Sequence, residues 1–115
     1  MYNYISAQIS GQVILAEVGG NEAIRVSDIL IHSETKKGGR VIVKLFDGTN
    51  TVIVYSAGLT DAPLNMSINF SEPLIGWAGA SLLIESWSNS HVTASAQYTL
   101  VEKGTAAKYA DWKKI

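Results

Sequence analysis

Along this chain apolar residues alternate with polar ones in one short segment after another, the spacing of strands that bury a single face. Leu64, Met66, Ile68 and Phe70 alternate with Asn65, Ser67, Asn69 and Ser71. Val92, Ala94, Ala96, Tyr98 and Leu100 alternate with Thr93, Ser95, Gln97 and Thr99. Gln12 to Val18 reads as a short strand, and Tyr2 to Ile9 as a weaker one, an arm or an edge strand. From Ala23 to Ser33 the phase changes. Ile24 and Val26 share one parity and Ile29 and Ile31 the other, which predicts a one-residue bulge near Asp28.

The clearest hairpin joins Val41–Phe46 to Thr51–Ala57 through Asp47-Gly48-Thr49-Asn50, a loop rich in turn formers. Pairing Phe46 with Thr51 puts Val41, Val43, Leu45, Val52 and Val54 on one wholly aliphatic face. The other face then carries Ile42, Lys44, Phe46, Thr51, Ile53 and Tyr55. That face is half apolar, more than a solvated monomer has reason to keep. Ile42, Phe46, Ile53 and Tyr55 are therefore candidate oligomer-interface residues, in a dimer or a trimer.

Ser71 to Trp87 is the other informative stretch. Pro73 cannot donate to a sheet ladder, and Gly76 and Gly79 open backbone angles closed to other residues. The stretch reads as a kinked connection carrying Leu74, Ile75 and Trp77 across one end of a sandwich, followed by a central strand from Ser81 to Trp87. The expected core is Val41, Val43, Leu45, Val52, Val54, Met66, Ile68 and either Leu82 or Ile84, with Trp77 covering the end.

No segment before residue 104 has helical periodicity. About eight short strands with polar turns predict an all-β fold, an antiparallel β-sandwich of the jelly-roll type. It would span residues 12–103, preceded by an arm or edge strand at 1–11 and followed by a tail at 104–115. In that tail Thr105 can cap a short helix that sets Ala106, Tyr109, Trp112 and Ile115 on one side. Lys113 and Lys114 would sit favourably at its C-terminal end. Termini are usually loose and polar, yet this one ends Tyr-Ala-Asp-Trp-Lys-Lys-Ile. It reads as a docking tail, with packing back onto its own sandwich as the alternative.

Composition narrows the function classes. A chain of 115 residues holds one domain and one core. With no cysteine there is no disulfide framework, thiolate site or cysteine nucleophile. A net charge of -1 argues against a nucleic-acid partner, which needs a basic face. No apolar run approaches the roughly 20 residues of a membrane span. Met-Tyr-Asn-Tyr-Ile-Ser lacks the features of a signal peptide, so the expected compartment is the cytosol or whatever assembles there. Charged residues make up only 17% of the chain, leaving a neutral surface suited to packing against other proteins.

Candidate chemistry is sparse. His32 and His91 have no metal-ligand partner at a recognisable spacing, and Ser, His and Asp form no nucleophile elbow. Asp47-Gly48-Thr49-Asn50 resembles a calcium loop only superficially, because the remaining acidic ligands are missing. No catalytic residue, metal site or cofactor is expected. Asn65-Met66-Ser67 and Asn69-Phe70-Ser71 match the glycosylation pattern but read better as the polar face of a strand. Lys36, Lys37 and Arg40 read as a solvated loop. Trp77 and Trp87 close the core or, if exposed, stack on sugars.

Several of these stretches together resemble short jelly-roll modules of tailed-bacteriophage virions. The strand Glu22-Ala-Ile-Arg-Val-Ser-Asp-Ile-Leu-Ile, the hairpin Val41 to Tyr55 and the Pro-x-x-Gly-Trp-x-Gly-x-x-Leu connection from Pro73 to Leu82 carry the likeness. A closing strand with Tyr98 completes it. The resemblance covers roughly Gln12 to Glu102. It implies a non-enzymatic capsid decoration (cement) protein, on the capsid surface of a virion assembled in the host cytoplasm. Its partners would be the major capsid protein and copies of itself. Tyr109, Trp112, Lys113, Lys114 and Ile115 are then the candidate capsid-binding residues. The alternative is a receptor- or glycan-binding jelly-roll module of a head fibre, tail fibre or tail tip.

Overall fold

The structure, a computed structural model, describes residues 3–9, 11–33, 40–58, 64–86, 92–102 and 106. They form eight strands: β1 (Asn3–Ile9), β2 (Gly11–Ala16), β3 (Glu22–Ser33), β4 (Arg40–Phe46), β5 (Thr51–Gly58), β6 (Leu64–Ile75), β7 (Ser81–Ser86) and β8 (Val92–Glu102). Two four-stranded sheets result, ordered β1-β8-β3-β6 and β2-β7-β4-β5, with every pairing antiparallel. Only β4 and β5 are joined as a hairpin within one sheet. Every other connection crosses between the sheets, the topology of a jelly roll. The expected fold class is the observed one.

The inner faces meet in one core. Leu15, Val41, Val43, Leu45, Leu82 and Ile84 come from one sheet, Ile24, Val26, Ile29 and Val92 from the other, and all are fully buried. Fully burying an aliphatic side chain of this size contributes about 1.5–3 kcal/mol. Val52, Val54, Met66 and Ile68 pack against this cluster from its margins. Leu82 and Ile84 both face inward, so β7 supplies two core residues where one was expected.

The phase change in β3 is a bulge at Ser27. Val26 pairs with Tyr98 and Asp28 with Gln97, one extra residue against two consecutive partners. The extra residue turns Ile29 and Ile31 back to the core after Ile24 and Val26. β1 pairs with β8 along its whole length and lies at a sheet edge.

β6 runs further than the sequence pattern predicts. It continues through Ile75, including Pro73. Proline is tolerated there because β6 is an edge strand and its N–H side needs no ladder partner. The predicted kink survives as a jump in register: Asn69 pairs with Asp28, and the next partners are Leu74 and Val26.

After β6 the chain is fastened across the end of the sandwich by its own backbone. Gly76 N–H donates to the Ile24 carbonyl at 2.9 Å, and Gly79 N–H to the Glu22 carbonyl at 3.0 Å. Gly79 has φ +82°, a conformation other residues adopt only with strain.

Candidate functional site

Strand alternation gives each sheet an outer face, and the two differ in kind. On β2-β7-β4-β5 one register row crosses all four strands: Ile14 pairs with Leu83, Leu83 with Lys44, and Lys44 with Ile53. Ile14 is 53% exposed and Ile53 61%, while Leu83 between them is only 2% exposed. Ile42 and Phe46, half-buried, lie on the same face two residues either side of Lys44. One ion pair sits in this apolar surface, Lys44 Nζ to Glu85 Oε2 at 3.3 Å. At 16% and 17% exposure the pair is largely shielded from water, so the cost of desolvating it offsets much of its attraction.

The structure thus brings Ile42, Phe46 and Ile53 together as the sequence suggested, and removes Tyr55 from that face. The register slips between Val43 and Lys44, so Lys44 pairs with Ile53 and Val43 with Tyr55. Val54 is the extra residue. The bulge carries Tyr55 to the core side, where it packs against the buried cluster with Val52 and Val54. Ile14 and Leu83 take a place on the outer face that sequence reasoning missed. Their signal was present: Val13-Ile14-Leu15 and Leu82-Leu83-Ile84 are unbroken apolar triplets, which alternation cannot confine to one side.

Asp47 and Trp77 form the corner where the hairpin meets the end connection. Asp47 Oδ1 accepts the backbone N–H of Thr49 at 2.8 Å and of Asn50 at 2.6 Å. Its Oδ2 accepts Trp77 Nε1–H at 2.9 Å and Asn50 Nδ2 at 3.3 Å. Both carboxylate oxygens therefore serve the turn and the tryptophan, as a hairpin turn requires rather than a calcium loop. The Asn50 amide, then that of Thr49, then the Trp77 ring N–H lower the Asp47 pKa from 3.8 to about 2. Trp77 is 6% exposed and belongs to the core cluster, so it presents no ring face on which a sugar can stack.

His32 is exposed on β3, with Nδ1 donating to Asn65 Oδ1 on β6. Among the described residues no three His, Cys, Asp or Glu side chains converge as a metal site. Among them, too, no helix is long and apolar enough to cross a membrane. The predicted capsid-binding residues Tyr109, Trp112, Lys113, Lys114 and Ile115 lie outside the described residues, as do Trp87, His91, Lys36 and Lys37.

No protein-family model and no curated protein matches the sequence. Solved structures similar in fold include the virus-like particle of extra small virus from the giant freshwater prawn Macrobrachium rosenbergii, 10% identical with a TM-score of 0.47, covering 87% of this chain and 76% of that one. A pentameric capsid protein isolated from metagenomic phage sequences is 14% identical with a TM-score of 0.47, covering 92% and 67%. TmCBM61, solved in complex with β-1,4-galactotriose, is 13% identical with a TM-score of 0.36, covering 86% and 70%. These likenesses concern the sandwich alone.

Proposed function

We propose that this chain is a non-enzymatic decoration protein of a tailed-phage capsid. It binds the outer surface of the shell and bridges neighbouring major capsid subunits. Contacts that exist only in the assembled shell stabilise it by mass action. The observation that carries this reading is the outer face of β2-β7-β4-β5, where Ile14, Ile53, Phe46 and Ile42 surround the Lys44–Glu85 ion pair. An apolar, nearly neutral sheet face suits a permanent protein contact, and a second copy of the chain is its occupant in this reading. The tail residues Tyr109, Trp112, Lys113, Lys114 and Ile115 dock on the major capsid protein. Trp and Tyr are enriched among interface anchors, and truncating one costs about 2 kcal/mol or more. No nucleic acid, membrane or cofactor takes part.

Co-sedimentation with purified heads tests the proposal. The protein should pellet with heads and be released from them as a small oligomer. A variant lacking residues 104–115 should keep its melting temperature and lose the heads. Failure of the full chain to bind heads overturns the decoration role. Wild-type binding by the truncated chain removes the tail as anchor, and a fall in its melting temperature identifies the tail as a cover for its own sandwich.

A further inference from the structure

The second outer face, on β8-β3-β6, is built from a different alphabet. A solvated strand face ordinarily carries Lys and Glu. Here the register sets Leu30 between Ser67 and Ser95, with His32 opposite Asn65 and Asp28 opposite Asn69. A groove of about 490 Å³ lies over Leu30, His32, Asn65, Ser67 and Ser95. A smaller hollow of about 150 Å³ shares Leu30, Ser67 and Ser95 with it and extends to Asp28 and Gln97. The two form one trough along three rows of the sheet. Rows two residues apart are spaced about 6.7 Å, so the trough is about 13 Å long. Its floor is recessed: Ser95 points outward yet is only 7% exposed.

Two side-chain pairs link β3 to β6 at the ends of the trough. Asn69 Nδ2 donates to Asp28 Oδ1, and the Asn65 carbonyl oxygen accepts from His32 Nδ1. Each pair has further polar atoms besides the bonded ones, Asp28 Oδ2 and Asn69 Oδ1 at one end, the Asn65 amide N–H and His32 Nε2 at the other. Carboxamides and hydroxyls offer both donors and acceptors, as the hydroxyls of a sugar require. Leu30, 46% exposed, supplies an apolar floor for the C–H face of a ring. Among the described residues no Lys or Arg lines the trough, so there a phosphate or sulfate meets no countercharge.

We propose that the outer face of β8-β3-β6 binds a neutral oligosaccharide, held over Leu30 by hydrogen bonds to Asp28, Asn69, Asn65 and Ser95. The site lies on the sheet opposite the proposed oligomer face. Head binding and sugar binding therefore stand or fall separately.

Titration of the ¹⁵N-labelled full chain with maltotetraose, cellotetraose and chitotetraose tests the proposal. At least one sugar, raised to about 20 mM, should shift the amides of Leu30, His32, Asn65 and Ser95 saturably, with a Kd of about 1 mM or tighter. The Asn65→Ala/Asn69→Ala double variant should weaken that Kd at least about tenfold at an unchanged melting temperature. Ser67→Trp, which fills the trough from an exposed position, should abolish the shifts. Absence of saturable shifts with all three sugars, shifts that map to another face, or full binding by Ser67→Trp would each overturn it.

Discussion

The two outer faces of this sandwich share one core and one strand geometry, and they solve opposite problems. On β2-β7-β4-β5 the row Ile14, Leu83, Lys44, Ile53 leaves isoleucines in water around one ion pair. On β8-β3-β6 the row through Leu30 is flanked by Ser67 and Ser95, and its neighbours are amides, a carboxylate and an imidazole. Burying the first face removes apolar area from water at little polar cost. Burying the second under an apolar partner would strand its amides and hydroxyls without hydrogen bonds, at about 1–3 kcal/mol for each group. The first is suited to another protein, the second to a hydroxylated ligand.

Variants can break or sharpen this contrast, and the largest effect comes from the core beneath both faces. Val43→Asp places an unpaired charge at a fully buried position. It should cost more than about 4 kcal/mol, leaving no cooperative thermal transition by circular dichroism and abolishing both faces together. A variant that melts near the wild-type temperature would show that β4 has another register.

Next come charges on the faces themselves. Wild-type protein should scatter as an oligomer at micromolar concentration and Phe46→Glu as a monomer, a loss of about 2 kcal/mol or more at the interface. Leu30→Glu, the same change on the other sheet, should leave the oligomer intact. If both variants dissociate it, or if the wild-type protein is monomeric, the contrast between the faces fails.

The end connection that fixes the sheets relative to one another responds more weakly. Gly79→Ala has room for its methyl, since the nearest atom to the added Cβ is the Gly20 Cα at 3.6 Å. The positive φ remains, so thermal unfolding should show a loss of about 1–2 kcal/mol. Lys44→Met tests the Lys44–Glu85 ion pair of the apolar face. It should cost the monomer about 1 kcal/mol, and the low exposure of both groups should leave the loss little changed by salt.

Asp47 gives the smallest signal, visible through pH. Its carboxyl titrates near 3.8 when unperturbed and near 2 in the fold. The folded state therefore favours the ionised form. The stabilisation is complete above about 4 and fades as the pH falls through the window to about 2. The melting-temperature gap between wild type and Asp47→Asn should narrow across that window. A gap that stays constant from neutral pH to pH 2 would show that the charge of Asp47 is not what the turn uses.

How much of this was legible in the sequence depended on whether parity was marked. In β3 the residues around the bulge are polar, Ser27 and Asp28, so the shift from Ile24 and Val26 to Ile29 and Ile31 is visible in print. In β5 the bulge falls inside Val52-Ile53-Val54-Tyr55, where every residue is apolar and a one-residue slip leaves no trace. Tyr55 was assigned to the wrong side for that reason. The triplets around Ile14 and Leu83 show that an apolar residue must face outward, but not which parity it takes. Pro73 suggested that β6 ends early, because local chemistry does not reveal that a strand lies at a sheet edge. The trough needed the fold itself: His32 and Asn65, or Asp28 and Asn69, are neighbours only once β3 and β6 pair.

The order of the strands also sets the tempo at which this protein comes into being. β1 pairs with β8, β2 with β7, and β3 with β6 and β8, so none of the first three strands has a partner among the others. A ribosome that has delivered the first third of the chain has delivered strands that must wait. The central β3–β8 pair closes a loop of about seventy residues, a non-local step of the kind that slows β-sandwiches to milliseconds or seconds. Only β4 and β5 form an early local hairpin, and β5 carries the exposed Ile53. Pairing of the first three strands therefore waits until β6 to β8 have been made. Until then the early strands expose unpaired edges, the condition in which one chain can pair with another.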